Sequence, residues 1–173
     1  MSKLIPVLDK KEIKNKVFSL AHQISIDYQA RDLILIGILK GAFVFLADLM
    51  RHLNLDRIKI DFMRVASYGA GTTSSQKISL IQDISLDIEN KHVLIVEDIV
   101  DTGLTLDYIV NHLKSFNPKT IKICAFIDKK ERRKIDIKVD YACHKTKQGF
   151  LVGYGLDHAE NYRNLAGLYH LKQ

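Results

Sequence analysis

Apolar residues along the chain form six runs that are rich in β-branched side chains and are continuous, without regular alternation with polar residues. Continuous runs are typical of strands covered on both faces, because a strand with one face in solvent alternates apolar and polar side chains. The runs therefore predict strands of a buried sheet. They cover residues 33–39, 58–65, 92–99, 120–127, 137–143 and 150–156.

Between these runs, apolar residues recur at spacings of three and four, which is typical of amphipathic helices. Asp9 is the expected N-cap of the first helix, with Glu12 three residues later. The third helix should end at Asn117-Pro118, because a residue before proline disfavours the helical conformation. We interpret all three stripes as facing the core. They are Ile13, Val17, Leu20, Ala21 and Ile24; Phe43, Leu46, Ala47, Met50 and Leu53; and Leu106, Ile109, Val110 and Leu113.

Alternating strands and helices predict an α/β fold with a mainly parallel central sheet flanked by helices. A chain of 173 residues fits one domain and can bury a core without disulfides or structural metals. Cys124 and Cys143 lack CxxC spacing, so they indicate neither a zinc site nor a disulfide framework. No signal peptide or long apolar span is visible, and we expect a soluble cytoplasmic protein without membrane contact.

The chain is basic, with 26 Lys and Arg against 20 Asp and Glu, a formal charge of +6. Such an excess suits a polyanionic partner, and both nucleic acids and phosphorylated metabolites qualify. Many small domains also carry this charge only for solubility. The charge leaves these interpretations open, and the dense cluster "DKKERRKIDIK" at 128–138 equally suits a solvated connection.

Carboxylates interrupt the apolar pattern in "HVLIVEDIVDTGLTLD", residues 92–107. Glu97 and Asp98 lie at the end of a predicted buried strand, where acidic side chains are unusual. In open parallel sheets, ligands bind beyond the carboxyl ends of the strands. These two acids are therefore expected to face a ligand.

The residues that follow, "DTGLT" at 101–105, combine hydroxyl groups with the start of a predicted helix. Helix N-termini present unpaired N–H groups that bind phosphate, and Thr102 and Thr105 can add hydroxyl donors. A ribose 5-phosphate would place its hydroxyls near the acids and its phosphate over the helix start. A simple helix cap by Asp101 or Thr102 is the alternative, but it leaves Glu97 and Asp98 unexplained.

One long segment fits neither pattern. "SYGAGTTSSQK", residues 67–77, is rich in Gly, Ser and Thr and joins two apolar runs. Loops of this length inside compact domains are usually either functional lids or disordered. We favour a lid over a ligand site.

"VLIVEDIVDTGLTL" resembles the phosphoribosyl-pyrophosphate signature of the type I phosphoribosyltransferases, and Asp101 resembles the form found in the 6-oxopurine (hypoxanthine) branch. "LKGAFVFLADL" (39–49) resembles the pyrophosphate loop of this family, and "SYGAGTTSS" (67–75) its mobile catalytic loop. "FIDKKERR" (126–133) and "FLVGYGLDHAENYRNL" (150–165) are similar to its purine and metal segments. The matches run in the family's order along most of the chain.

This resemblance implies the type I phosphoribosyltransferase fold as a single domain over 1–173, with a small hood formed by the N-terminal residues and about 129–173. It implies a purine-salvage reaction that transfers phosphoribosyl from phosphoribosyl pyrophosphate to hypoxanthine, and to guanine, giving the nucleoside monophosphate IMP or GMP and releasing pyrophosphate. Mg²⁺ is the implied cofactor. A homodimer or homotetramer is the implied assembly, and no nucleic acid is expected as a partner.

The resemblance also assigns roles to residues. Asp101 would be the general base that takes a proton from purine N7, and Glu97 and Asp98 would hold the ribose hydroxyls directly or through Mg²⁺. Thr102, Gly103, Leu104 and Thr105 would bind the 5′-phosphate. Lys40, Gly41 and Arg163 would bind pyrophosphate, the first two through a cis peptide in that loop. Ser67 and Tyr68 would belong to the lid. Lys129, Phe150 and Leu151 would contact the purine, and Asp157 would bind a second metal ion.

Two other functions remain as alternatives. An RNA-binding attenuation regulator on the same fold would suit the basic charge, but "KKERRK" carries no interleaved aromatic residues and Asp101 favours catalysis. A nucleotide-binding module without activity would not need a base at position 101. The segment "ACHKTKQG" (142–149) departs from the family pattern, and it bears on base preference and subunit contacts.

Overall fold

The computed structural model of the protein describes residues 3–68 and 77–172. Its main feature is a six-stranded sheet in the order β4-β3-β2-β5-β6-β7. All neighbours pair in parallel except β4, which is antiparallel to β3. The strands are β2 (Leu33–Leu39), β3 (Ile58–Tyr68), β4 (Lys77–Gln82), β5 (His92–Val100), β6 (Thr120–Lys129) and β7 (Tyr141–Thr146). The prediction of a mainly parallel α/β sheet is confirmed.

Helices cover both faces of this sheet. They are α1 (Lys10–Asp27), α2 (Phe43–His52) and α3 (Leu104–Lys114). One core cluster joins α1 and α2 to side chains such as Leu35 and Leu94, and the other joins α3 to their strand neighbours such as Ile36 and Ile95. Alternate residues of the same strands thus enter opposite cores, which explains why the strands are apolar throughout.

The start of α1 is as predicted. The Asp9 side chain accepts a hydrogen bond from the Glu12 N–H at 2.8 Å, and the Glu12 side chain accepts one from the Asp9 N–H at 2.8 Å. This reciprocal pair satisfies two N–H groups that have no partner inside the helix.

The predicted core face of α2 is wrong by about one residue. Phe43, Ala47 and Met50 are exposed, whereas Leu46 is buried as predicted, together with Phe45 and Leu49. The segment "FVFLADLM" is apolar on several faces, so its spacing does not define one stripe. The face is instead decided by packing on the sheet, where Phe45 contacts Phe126 with ring centroids 5.7 Å apart.

A second, three-stranded antiparallel sheet is built from the two ends of the described chain. It contains β1 (Lys3–Leu8), β9 (Leu168–Lys172) and β8 (Leu151–Val152), in the order β1-β9-β8. This small sheet lies within the segments expected to form the hood. β7 lies within the segment of about 129–173 expected to form the hood, but it pairs with β6 in the large sheet.

Two predicted strands have different bounds. The run 150–156 forms strand only at Leu151–Val152, because Gly153 and Gly155 adopt φ of 98° and 97°, which are incompatible with an extended strand. The run 137–143 begins as strand only at Tyr141. Cys124 and Cys143 are free and buried. No helix in the described part of the chain is long and apolar enough to span a membrane.

Candidate active site

The predicted site residues gather at one edge of the large sheet. Because β2, β5 and β6 are parallel neighbours, their carboxyl ends lie side by side. Leu39 is followed there by Lys40 and Gly41, Val100 by Asp101, and β6 ends at Lys129. The topology therefore brings together three segments that are far apart in sequence, as expected for ligand sites in such sheets.

Glu97 and Asp98 form a tightly coupled acid pair near the end of β5. Glu97 is 7% exposed, and its side chain accepts a hydrogen bond from the Asp98 N–H at 3.0 Å. Burial, followed by the negative charge of Asp98, raises the pKa of Glu97 well above its ordinary value. Burial also raises the pKa of Asp98, although the charge of Arg163 acts in the opposite direction. Such a pair binds a proton more readily than exposed acids do, and a bound cation would favour the ionised form.

Gly41 lies directly against this pair. A Cβ atom added at position 41 would fall 1.6 Å from Oδ2 of Asp98, so no larger residue fits without moving that carboxylate. The carbonyl of Gly41 in turn lies 2.3 Å from the place of a Cβ on Gly155. The preceding Leu39–Lys40 peptide is cis. Glycine is thus required at position 41, which packs against Asp98, and at position 155, which packs against the carbonyl of Gly41.

Cationic side chains surround the same corner. Arg163 is 2.7 Å from Oδ1 of Asp157 and donates a hydrogen bond from Nη1 to the carbonyl of Gly155 at 2.8 Å. Its Nε is buried and has no hydrogen-bond partner among the described residues. Lys40 donates to Oε2 of Glu160 at 2.9 Å, and Arg163 lies 3.5 Å from the same oxygen. Two cations therefore share one exposed carboxylate, and an anion could replace it.

The segment after β5 forms a cavity of about 230 Å³ at the start of α3. Gly103 has a φ of 84°, and a Cβ there would meet the carbonyl of Ile135 at 2.8 Å. The Leu104 N–H, at the first residue of α3, points at the Thr102 hydroxyl 3.4 Å away. The cavity is lined by Glu97, Asp98, Ile99, Val100, Asp101, Thr102, Gly103, Thr105 and Leu106. It joins carboxylates to a helix N-terminus in one space, as the sequence predicts.

Asp101 has one occupied and one free carboxylate oxygen. Its Oδ2 lies 4.0 Å from Nζ of Lys129 and 3.6 Å from Nη1 of Arg132. Its Oδ1 is buried and has no hydrogen-bond partner within residues 3–68 and 77–172. A buried acceptor without a partner costs free energy unless a ligand satisfies it. Oδ1 is thus available to a proton from a bound molecule.

Lys129 is 6% exposed, so it is not an ordinary surface lysine. Its Nζ lies 3.1 Å from Oε2 of Glu131, and the same carboxylate accepts a hydrogen bond from the Gly149 N–H at 3.2 Å. Glu131 therefore connects the end of β6 to the segment of Phe150 and Leu151.

Phe150 and Leu151 differ in their exposure to solvent. Phe150 is 51% exposed and contacts His158 edge to face at 5.3 Å, whereas Leu151 is buried. An exposed aromatic face beside buried polar groups is suited to stacking on a planar ligand.

The lid is described only at its start. Ser67 and Tyr68 are the last residues of β3, which continues from Arg64, the partner of Leu39, toward the site edge. Residues 69–76 of the predicted lid lie outside the described residues. Glu131, Arg132, Arg133 and Glu160 were not predicted as site residues, because only the fold brings these charges to the strand ends.

Within residues 3–68 and 77–172, protein side chains alone do not form a metal site. Among the described residues, no three His, Cys, Asp or Glu side chains form a group that could hold an ion. Mg²⁺ usually keeps waters and takes one or two carboxylates together with substrate phosphates. The oxygen atoms of Glu97, Asp98 and Asp157 match that ligand type.

Comparison with known proteins gives a consistent result. The family model of the phosphoribosyl transferase domain matches residues 6–159. The hypoxanthine-guanine phosphoribosyltransferase of Aquifex aeolicus is 46% identical over 96% of this chain and 94% of its own length. A crystal structure of hypoxanthine phosphoribosyltransferase from Staphylococcus aureus is 42% identical, covers 96% of this chain and 90% of that one, and superposes with a TM-score of 0.92.

A third relative bears on assembly. The structure of the Trypanosoma cruzi hypoxanthine phosphoribosyl transferase, from work on how its C-terminal region affects oligomeric state and activity, is 37% identical with a TM-score of 0.89. It covers 96% of this chain and 90% of its own.

Proposed function

The chain belongs to the phosphoribosyltransferase family, and we propose that it transfers 5-phosphoribosyl from phosphoribosyl pyrophosphate to hypoxanthine and guanine. The products are the nucleoside 5′-monophosphate and pyrophosphate. Among the relatives that support this activity, several at 43 to 46% identity carry the name hypoxanthine-guanine phosphoribosyltransferase. The RNA-binding regulator is not favoured, because every named relative described above is a transferase.

The observation that carries the proposal is the free Oδ1 of Asp101, which shares a cavity with Glu97 and Asp98 at the start of α3. A ribose 5-phosphate with its hydroxyls at the acids and its phosphate at residues 102–105 would extend C1′ toward Asp101. Lys129, 4.0 Å from the other oxygen of Asp101, would then meet the 6-oxo group of a purine. Adenine has no such acceptor, and the buried ammonium would discriminate against it.

The proposed step forms the bond between purine N9 and C1′ and breaks the bond between C1′ and the pyrophosphate oxygen. The proton on N7 passes to Oδ1 of Asp101, and the bonding electrons leave with pyrophosphate. Positive charge develops on the ribose, and the carboxylates of Glu97 and Asp98 would stabilise it. Lys40 and Arg163 leave Glu160 and bind the phosphates of the leaving pyrophosphate, whose negative charge they offset.

Mg²⁺ fits this set of groups. Glu97, Asp98 and Asp157 would hold it together with oxygens of the substrate, since the described protein oxygens alone do not complete a site. When bound, the ion offsets negative charge on the pyrophosphate. We propose that the segment after Ser67 and Tyr68 excludes water from this centre.

The remaining features complete the proposal. We infer a single domain over residues 1–173, in which the small sheet of β1, β8 and β9 covers the purine side as a hood. We further infer a homo-oligomer, a dimer or tetramer, with support from the oligomeric state studied in the Trypanosoma cruzi relative. A reducing, cytoplasmic location agrees with the two free cysteines.

The proposal is tested with the purified protein, Mg²⁺, phosphoribosyl pyrophosphate and one base at a time. Hypoxanthine and guanine should each give a monophosphate, and adenine should give at least about 100-fold less. No product from any 6-oxopurine would refute the enzyme. Binding of RNA without turnover would instead favour the regulator.

A further inference from the structure

Arg133 is a buried cation behind the site that no step of the proposed reaction uses. Its side chain is 14% exposed and lies beside Asp128, whose side chain is 8% exposed. The guanidinium donates from Nη2 to Oδ1 of Asp128 at 2.6 Å. An ion pair of this kind is costly to form unless further hydrogen bonds satisfy its remaining donors.

The remaining bonds of the guanidinium go to backbone carbonyls around the site. Nε donates to the carbonyl of Asp101 at 3.0 Å, and Nη2 lies 3.1 Å from that of Val100 and 3.0 Å from that of Lys129. Because Nη2 has two hydrogens and three acceptors, one hydrogen is shared. Nη1 donates to the carbonyl of Ile137 at 3.3 Å. Arg133 thus contacts both residues that flank the reacting purine in the proposed reaction.

The hydrogen bonds of Arg133 to Asp101 and Lys129 lie just beyond the end of the pairing between β5 and β6. The pairing of β5 with β6 stops at Val100 and Asp128, one residue before Asp101 and Lys129. Beyond that register the ladder no longer sets the spacing of the two chains. Arg133 bridges the carbonyls of Asp101 and Lys129, and a planar guanidinium fixes its acceptors more tightly than an ammonium can.

The segment after Arg133 also supports the phosphate loop. The N–H groups of Lys134 and Ile135 donate to the carbonyl of Thr102 at 2.9 and 3.2 Å. The carbonyl of Ile135 lies against Gly103. The connection at 133–135 therefore holds the 5′-phosphate loop at the same time as the base and the purine donor.

We propose that Arg133 is a positioning residue for catalysis: it sets the spacing between the general base Asp101 and the 6-oxo donor Lys129 without touching substrate. The inference rests on the proposed function of these two residues. Reacting groups tolerate little displacement, and a misplacement of about 1 Å can cost about 100-fold in rate. The role of Arg133 is therefore visible in kcat for the oxopurine more than in binding of phosphoribosyl pyrophosphate.

The test compares Arg133→Lys with two controls. Arg133→Lys keeps the positive charge beside Asp128 but loses the planar guanidinium that binds several carbonyls at once. We expect kcat with hypoxanthine to fall roughly 10- to 100-fold. The KM for phosphoribosyl pyrophosphate should stay within about threefold of the wild-type value. Asp128→Asn weakens the ion pair and leaves the carbonyl bonds, so its kcat should stay within about threefold. Arg57→Lys, whose partner Asp32 lies at the opposite edge of the sheet, controls for the general effect of the exchange.

A second readout separates positioning from stability. Added methylguanidinium should raise the kcat of Arg133→Ala by at least about tenfold, whereas methylammonium should not raise it. If Arg133→Ala does not fold, the double variant R133A/D128N, which leaves no unpaired buried charge and keeps the space for methylguanidinium, takes its place. Equal losses of kcat in Arg133→Lys and Asp128→Asn, or no rescue, would overturn the positioning role. An inactive wild type would instead refute the proposed function, and the role of Arg133 with it.

Discussion

The ammonium nitrogen of Lys129 lies 4.0 Å from Oδ2 of Asp101, so the proposed purine donor and the proposed base share one wall of the site. Lys129→Met keeps the length of the side chain and removes the donor. A hydrogen bond from a charged group contributes about 1.5–3 kcal/mol, so kcat/KM for hypoxanthine should fall roughly 10- to 150-fold. Steady-state kinetics with hypoxanthine and adenine would also show reduced discrimination between the bases.

Lys130→Met is the matched control for this prediction, because Lys130 is the exposed neighbour in sequence. Lys130→Met should leave kcat/KM for hypoxanthine and for adenine unchanged. An unchanged kcat/KM for hypoxanthine in Lys129→Met would show that the lysine does not contact the base.

Gly41→Ala tests the contact between the pyrophosphate loop and the acids. The added Cβ would fall 1.6 Å from Oδ2 of Asp98, so either the loop or the carboxylate must move. We expect kcat/KM for phosphoribosyl pyrophosphate to fall about 100-fold.

Gly37→Ala, on β2 just before the loop that contains Gly41, is the comparison for Gly41→Ala. Its added Cβ would meet Cδ2 of Leu46 in the core at 2.6 Å. It should lower the melting temperature and leave KM for phosphoribosyl pyrophosphate unchanged. Similar effects of the two variants on kcat/KM for phosphoribosyl pyrophosphate would contradict the special role of Gly41.

Glu97→Gln should stabilise the protein without ligand and reduce its activity. Burial and Asp98 raise the pKa of Glu97, so the folded state binds its proton more tightly than the unfolded chain does. That stabilisation is complete below the ordinary pKa near 4.5 and is lost as the pH rises through the raised value. The glutamine does not titrate, so its advantage over wild type should grow from pH 5 to pH 8.

The measurement for Glu97→Gln is thermal unfolding of both proteins at several pH values without Mg²⁺ or substrate. A rise in Tm of about 2–4 °C at pH 8 corresponds to roughly 1 kcal/mol for a chain of this size. If the Tm of the variant at pH 8 is lower than that of wild type, the ionised Glu97 does not destabilise the folded protein, and the prediction is wrong. Stability gained at the cost of activity is typical of functional sites.

Glu160→Gln tests whether the exposed carboxylate competes with the substrate. Lys40 and Arg163 both approach Oε2 of Glu160, and the hydrogen bond from Lys40 lowers the pKa of that carboxyl. Removing its charge should lower KM for phosphoribosyl pyrophosphate, and for pyrophosphate in the reverse reaction, by about two- to fivefold, as expected for an exposed ion pair. A higher KM would mean that Glu160 orients the cations and does not compete with the ligand.

Much of the fold follows from local sequence. Asp9 and Glu12 predict the start of α1 because capping depends on neighbours three residues apart. The continuous apolar runs predict the central strands, since both faces of each are covered by helices. The short strands β1, β4 and β9 have mixed burial and carry no such signal.

Other features depend on contacts that sequence patterns do not contain. Gly153 and Gly155 end the predicted strand at 150–156 by adopting positive φ, and Gly155 does so against the carbonyl of Gly41. Arg133 belongs to the charged cluster 128–138, which suits a solvated connection, and Glu160 has no role assigned from the sequence. Their roles appear only when the ends of β2, β5 and β6 meet.

The most direct test of the central claim is the rate of monophosphate formation by Asp101→Asn. The amide keeps the size of the side chain and cannot accept the N7 proton, so kcat with hypoxanthine should fall by about 10²- to 10⁴-fold. Binding of phosphoribosyl pyrophosphate, measured by calorimetry with Mg²⁺, should stay within about threefold because Glu97, Asp98 and the phosphate loop are intact. A wild-type kcat in Asp101→Asn would contradict the account.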